Sequence, residues 1–214
     1  MKKELRYERK FRIESMSLDA VKQIIDLHPA SFSTLYPDRI VNNIYLDFPD
    51  RNTWNQNVLG WNERKKYRIR WYGDTQQIIK GAKLEIKHKH NELGWKDAFD
   101  VEDFDLAKLG EKLPAILQSF PELGALQPSL FNRYSRSYLL SFDQKFRLTL
   151  DRQLEFFPIH ASRWNSYEAS IDPAFILELK YNREWDDEVG KISQRLPFRQ
   201  SKNSKYVKGI LLLS

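Results

Sequence analysis

The chain has no cysteine among its 214 residues. Disulfide staples and thiolate metal sites are therefore excluded. No apolar stretch approaches the roughly 20 residues that a membrane-spanning helix needs. The amino-terminal residues also lack the apolar run of a secretory signal. The greasiest segment, GILLLS at the carboxyl terminus, is far too short to cross a bilayer and reads as a final strand. Gly/Ser linkers, low-complexity tracts and internal repeats are missing too. One domain over residues 1–214 is the simplest organisation, and the cytoplasm is the expected compartment. His88 and His90 in KHKHN stand without further histidine or any cysteine nearby, so turn positions suit them better than a zinc site.

What is present is a basic, aromatic-rich chain. Hydrophobic residues make up 41% and aromatics 14%, enough for a real core, while 30% are charged and the net charge is +6. Such a balance favours an anionic partner: nucleic acid, phosphates or a membrane surface. Period-2 alternation predicts strands at Leu5–Ile13, Ile40–Phe48, Lys66–Tyr72, Ala82–His88, Asp97–Val101, Ser135–Phe142, Phe146–Asp151, Leu154–Pro158, Phe175–Tyr181 and Lys205–Leu213. Helical spacing is rarer. One helix starts after Ser17 and stops at Pro29, one runs from Asp105 and breaks near Pro114, and a weaker one starts at Asp186. Many antiparallel strands with a few peripheral helices predict an α+β domain built on a closed or nearly closed β-barrel.

The alternation has an unusual polar side. LRYERKFRI sets Arg6, Glu8, Lys10 and Arg12 against Leu5, Tyr7, Phe11 and Ile13. KYRIRWY sets Arg68 and Arg70 against Tyr67, Ile69 and Trp71; KLEIKHK sets Glu85 and Lys87 against Leu84 and Ile86. FRLTLD sets Arg147 and Asp151 against Phe146, Leu148 and Leu150, and FILELKY places Glu178 and Lys180 together. A solvated sheet face would use Thr, Ser, Gln and Glu–Lys pairs more often. The alternative is an inside-out barrel, with an apolar outer face under helices and a charged lumen. Two cations 4 Å apart repel by about 4 kcal/mol at an effective dielectric near 20. A lumen crowded with cations therefore makes sense around a multiply charged anion. Arg meets phosphate oxygens two at a time. The interleaved acids Glu8, Glu85, Asp151 and Glu178 suit Mg²⁺ or Mn²⁺ bridging phosphates to protein.

In order along the chain, RYERKF, NNIYLDFPD, RKKYRIRWYG, LEIKHKH, NRYSR, FRLTLD, ILELKY and KNSKYVKG resemble the polyphosphate polymerase domain of vacuolar transporter chaperone proteins, the VTC domain. That domain belongs with the CYTH proteins to the triphosphate tunnel metalloenzymes. The resemblance implies a closed tunnel of eight antiparallel strands. It implies transfer of the γ-phosphate of ATP, with a divalent metal, onto a polyphosphate chain that leaves through the tunnel. It also implies phosphate contacts at Lys10, Arg68, Arg70, Lys87, Arg133, Arg147, Ser204 and Lys205. Of these, Arg68, Arg70, Lys87 and Lys205 grip the reacting triphosphate, and Glu178 binds Mn²⁺ or Mg²⁺, with Glu8, Glu85 and Asp151 as candidate second ligands. At RYERK the chain departs from the wider superfamily, because Arg6 stands where CYTH proteins place the first of two alternating acids. That favours the VTC branch over a simple hydrolase. The regulatory domain and membrane spans of the fungal proteins are not implied. ATP or another nucleoside triphosphate and polyphosphate are the expected partners; a triphosphatase or polyphosphatase and a non-catalytic polyphosphate binder are the rivals. Nucleic acid is disfavoured: there is no RRM or KH signature, and a duplex could not enter an eight-stranded lumen.

Overall fold

The computed structural model describes residues 6–160, 163–164 and 169–214; Leu5, at the start of the first predicted strand, lies outside them. The strands are β1 (Arg6–Ile13), β2 (Ser33–Asp47), β3 (Glu63–Tyr72), β4 (Ile78–Ile79), β5 (Lys83–His90), β6 (Leu93–Asp100), β7 (Phe104–Asp105), β8 (Gln127–Leu140), β9 (Phe146–His160), β10 (Arg163–Trp164), β11 (Ser170–Asp172) and β12 (Phe175–Asn182). The helices are α1 (Leu18–Asp26), α2 (Asn52–Leu59), α3 (Leu109–Leu117), α4 (Val189–Ser193) and α5 (Lys205–Leu213).

The main sheet is antiparallel throughout. It runs β9-β12-β1-β6-β5-β3-β2-β8, and β8 pairs back onto β9, so the ladder order returns to its start. One link differs from the expected closed barrel. Among the described residues a single pair, Arg6 with Gly94, joins β1 to β6. The β5–β6 hairpin meets β1 at its first residue. Farther along β1 the segment before α5 takes over: Phe11 bridges Gln200, and Ser201 N donates to Lys10 O at 2.8 Å.

The outer faces carry the apolar halves of the alternation. Ile44, Ile69, Trp71, Leu84 and Phe131 pack under Leu109, Leu113 and Leu117 of α3. Phe11, Leu148, Leu150, Leu177 and Leu179 pack under Val21 and Ile25 of α1. Burying each such side chain is worth about 1.5–3 kcal/mol, so a one-residue slip that turned them inward would be ruinous. Ser17 starts α1 by accepting from Ala20 N at 3.2 Å.

The carboxyl-terminal segment is a helix rather than the predicted strand. Ser204 Oγ accepts from Val207 N at 3.3 Å, and Tyr206, Gly209 and Ile210 are buried along one side of α5. That side lies on the apolar end of the sheet's inner face, against Tyr45, Leu130, Phe156 and Ile176. A short apolar run such as GILLL has no period of its own, so the surface it covers decides its structure. Other differences are smaller. The two strands expected over 146–158 are one, β9, with a register irregularity opposite Arg133–Ser135 and Gln153 at φ 53°. Pro114 lies inside α3 instead of breaking it, because Leu109, Leu113 and Leu117 hold both halves in the core. Helix α2, absent from the sequence pattern, starts where Asp47 Oδ1 accepts from Thr53 N and Oδ2 from Trp54 N, both at 2.9 Å.

Candidate functional site

Strand register places the ionic residues across from one another. Glu8 and Lys10 of β1 oppose Lys180 and Glu178 of β12. Arg68 and Lys66 of β3 oppose Glu85 and Lys87 of β5, and Arg136 of β8 opposes Asp151 of β9. Nothing in a stable sheet calls for Lys66 opposite Lys87, since like charges in register destabilise a ladder.

The charges form two layers. The outer one faces an open cavity of about 1070 Å³ lined by Glu8, Lys10, Lys66, Lys87, Lys89 and Arg64. Lys87 Nζ reaches Glu8 at 3.2 Å, Lys10 Nζ lies 3.5 Å from both Glu8 and Glu178, and Lys66 Nζ donates to Ser204 Oγ at 2.8 Å. The carboxylates of the inner layer are buried and saturated with ion pairs. Arg68 donates twice to Glu85 Oε2, at 2.8 and 2.6 Å, and Lys96 holds the other oxygen at 2.6 Å. Arg136 Nη2 meets Asp151 Oδ2 at 2.7 Å, and Lys205 Nζ contacts the same oxygen. Glu178 is surrounded by Lys180 at 2.7 Å, Arg136 at 3.4 Å and Lys205 at 3.8 Å. Arg70 donates to Asn43 Oδ1 at 2.7 Å and to Tyr134 OH at 3.1 Å.

Burial and these neighbours shift the titrations, with opposite consequences for the charge of the acids and of two lysines. Burial and Glu178 push the Glu8 carboxyl up, but Lys10, Lys87 and Lys180 outweigh them and hold it at about 2. Burial likewise raises Glu178, and Lys180, Lys10, Lys205 and Arg136 bring it well below the usual carboxylate range. Lys10 stays charged, because Glu8 and Glu178 outweigh its burial and raise it, but Lys66 and Lys87 are lowered, which for a lysine disfavours the charged form. Burial with Lys10 and Lys87 nearby drives Lys66 well below its ordinary value. For Lys87 the Glu8 carboxylate favours the charged form, yet desolvation and Lys10 bring it down to about 8. Cations depressed by burial and by other cations mark a place that an anion would relieve.

Lys10, Arg68, Arg70, Lys87, Glu178, Ser204 and Lys205 therefore gather on or beside one inner face. Two predicted contacts do not join them. Arg133 points to the other side of β8, where it pairs with Glu155 at 2.7 Å and keeps 39% of its side chain exposed. The inward positions of β8 are Asn132, Tyr134 and Arg136, so the buried Arg136 occupies the place expected of Arg133. Arg147 is on the inward side of β9 but at its end. It is exposed, makes no ion pair among the described residues, and lines a separate cavity of about 60 Å³ with Arg6, Lys145 and Lys180. Lys66 and Arg136 were present in the same alternation that exposed Arg68 and Arg147; Lys96 and Tyr134 carried no comparable signal.

Among the described residues no three carboxylate, imidazole or thiol groups converge as a metal set. Glu178 and Asp151 do offer hard oxygen donors in the inner layer. Mg²⁺ and Mn²⁺ are commonly held by one or two carboxylates with substrate phosphates and water completing the shell. The donors fit such an ion arriving with a phosphate chain, not one held by protein alone.

The fold is shared with several solved structures. A candidate adenylate cyclase from Vibrio parahaemolyticus superposes with a TM-score of 0.54 at 13% identity, covering 96% of this chain and 97% of its own. A Bacillus halodurans protein described in the same way gives 0.53 at 16%, covering 95% and 97%. A Hippeastrum protein described as a candidate adenylyl cyclase with a dominant triphosphatase activity gives 0.54 at 13%, covering 94% and 92%. Identities this low speak for the fold alone. The search of curated proteins finds no match. The antiparallel ring of strands thus puts this chain in the fold class of these candidate cyclases. Within that class it belongs to the VTC domain family, whose model matches residues 5–214.

Proposed function

We propose that this chain is a metal-dependent phosphotransferase of triphosphate and polyphosphate, acting as a single domain that adds the γ-phosphate of ATP to a growing polyphosphate chain. The observation that carries the reading is the surplus of cations on the inner face, with Lys66 opposite Lys87 and both depressed by burial and nearby cations. In this reading the ring of strands is a closed tunnel. Lys10, Lys66, Lys87 and Ser204 receive the triphosphate at its mouth, and Arg68, Arg70, Arg136 and Lys205 hold the phosphates deeper in. Arg147 contributes at the far end of its strand. Arg133 has no part. Phosphoryl transfer asks the protein mainly for alignment and charge neutralisation. The acceptor is the terminal phosphate of a chain, already ionised at neutral pH, so no general base is needed. Glu178, with Asp151 beside it, would hold Mg²⁺ or Mn²⁺, which supplies further neutralisation of phosphate charge when bound. Among the described residues no helix is long and apolar enough to cross a membrane; the cytoplasm, where ATP is plentiful, is the proposed compartment.

The test is incubation of the pure protein with γ-labelled ATP and Mn²⁺. Long labelled chains, lost on chelation, are expected. Labelled orthophosphate alone would make the protein a triphosphatase of the same fold. No turnover, with tripolyphosphate still bound, would leave a polyphosphate-binding module.

A further inference from the structure

The mouth of the cavity has two unlike walls. One is basic, with Lys66, Lys87, Lys89 and Arg64. The other comes from two helices and is largely apolar, with Asn57 and Lys208 beside the apolar side chains. Trp54 and Val58 are four residues apart on α2, and Val207 and Leu211 are four apart on α5, so each pair shares a helix face. All four line the same cavity. Val58 is 49% exposed and Leu211 58%, so no part of the described chain covers them. Among the described residues the buried indole N–H of Trp54 has no acceptor. The two helices are fixed to each other through one carboxylate. Asp47 caps α2 and also accepts from Tyr206 OH of α5, and it is only 2% exposed.

A phosphate chain has no use for an apolar wall. A triphosphate carrying a flat organic group would place its phosphates on the lysines and that group on the helices. We infer that Trp54, Val58, Val207 and Leu211 form a shelf for the nucleoside part of a nucleoside triphosphate, and so set the preference for an organic over an inorganic triphosphate at this mouth. The inference rests on the phosphate reading of the cations. It also gives the substrate a direction, with the nucleoside outside on the shelf and the γ-phosphate deepest.

Calorimetric titration with the β,γ-imido analogue of ATP and with inorganic tripolyphosphate, at one pH and salt concentration, tests the shelf. Tripolyphosphate carries the higher charge, so charge alone predicts that it binds tighter. The shelf predicts that the wild-type protein binds the analogue on the order of tenfold tighter, because apolar and aromatic surfaces reward a stacked base. The double variant Val58→Ser, Leu211→Ser should lose that advantage and keep its tripolyphosphate affinity within about twofold, as expected for exposed positions. Equal wild-type affinity for the two ligands overturns the shelf, as does a double variant that weakens both equally. If the wild-type protein binds neither, the phosphate reading falls and takes this inference with it.

Discussion

Arg133 and Arg136 are three residues apart and look interchangeable in NRYSR. In a strand that spacing puts them on opposite sides, and only Arg136 meets the buried carboxylates of Asp151 and Glu178. Arg133→Ala should leave turnover near the wild-type level and stability within about 0.5 kcal/mol, as for other exposed positions. Arg136→Ala should lower turnover by about 100-fold, the loss typical of one preorganised charge donor. It should also cost about 3–5 kcal/mol of stability, because it breaks a buried ion network. Arg136→Lys keeps the charge and separates the two effects. Melting temperature and turnover measured on the three variants decide the matter; a silent Arg136→Ala beside an inactive Arg133→Ala would reverse the assignment of faces. A second prediction follows from Lys87. Its folded value of about 8 lies below the ordinary lysine value of about 10.4. Between those two pH values the unfolded chain binds more protons, so ligand-free stability should rise from pH 8 towards pH 10. Lys87 is 38% exposed, so solvent damps the size of the effect but not its sign. A bound polyanion restores the charged form. Tripolyphosphate binding at pH 9 should therefore take up protons, read as a heat that changes with the ionisation enthalpy of the buffer. Proton release would contradict the placement of the anion beside Lys87.

At the level of elements, legibility followed period and ended where contacts decide. The inward charges of β1, β3, β5, β9 and β12 were readable because period 2 ties each side chain to a face, and the apolar partners fix which face is out. Helix α1 was readable from Ser17 and its apolar spacing. The choice of Arg136 over Arg133 was not, because the side of β8 that faces inward shows only through its register with β2 and β9. Helix α5 was misread because GILLL fits either period. Its structure comes from the surface beneath it, and Gly209 shows how close that surface is. A Cβ there would lie 2.5 Å from Leu130 Cδ2 and from Phe156 Cδ1. Alanine ordinarily stabilises a helix over glycine by about 0.5–1 kcal/mol. Here Gly209→Ala should instead destabilise by about 1–3 kcal/mol, the usual cost of overpacking a tight core. Because Ser204 and Lys205 begin the same helix, tripolyphosphate affinity should fall as well. A melting temperature above that of the wild type would mean that α5 does not pack as described.

For the whole molecule, the decisive contrast is between a polyanion that enters the ring and one that lies on its surface. The net charge of +6 attracts both, and that long-range attraction weakens with salt. The lysines and arginines of the two layers are different. They are partly or wholly shielded from solvent, and in the ligand-free protein Lys66 and Lys87 repel each other across adjacent strands. Only a narrow chain of phosphates can reach them, since a duplex is wider than the interior of an eight-stranded ring. Tripolyphosphate and polyphosphate should therefore stabilise the protein much more than a DNA oligonucleotide of equal charge. A ligand present at 100 times its Kd adds about 2.7 kcal/mol. For a domain of this size that is roughly 5–10 °C in Tm. Raising the salt from 50 to 200 mM should erase most of the oligonucleotide effect, as counterion release requires for surface phosphate contacts. Much of the polyphosphate effect should survive, because buried pairs are screened far less. Thermal melts with both ligands at both salt concentrations give the answer in four curves. Equal shifts that vanish together with salt would mean that the basic residues act as an external surface, and the inner face would then hold no phosphate at all.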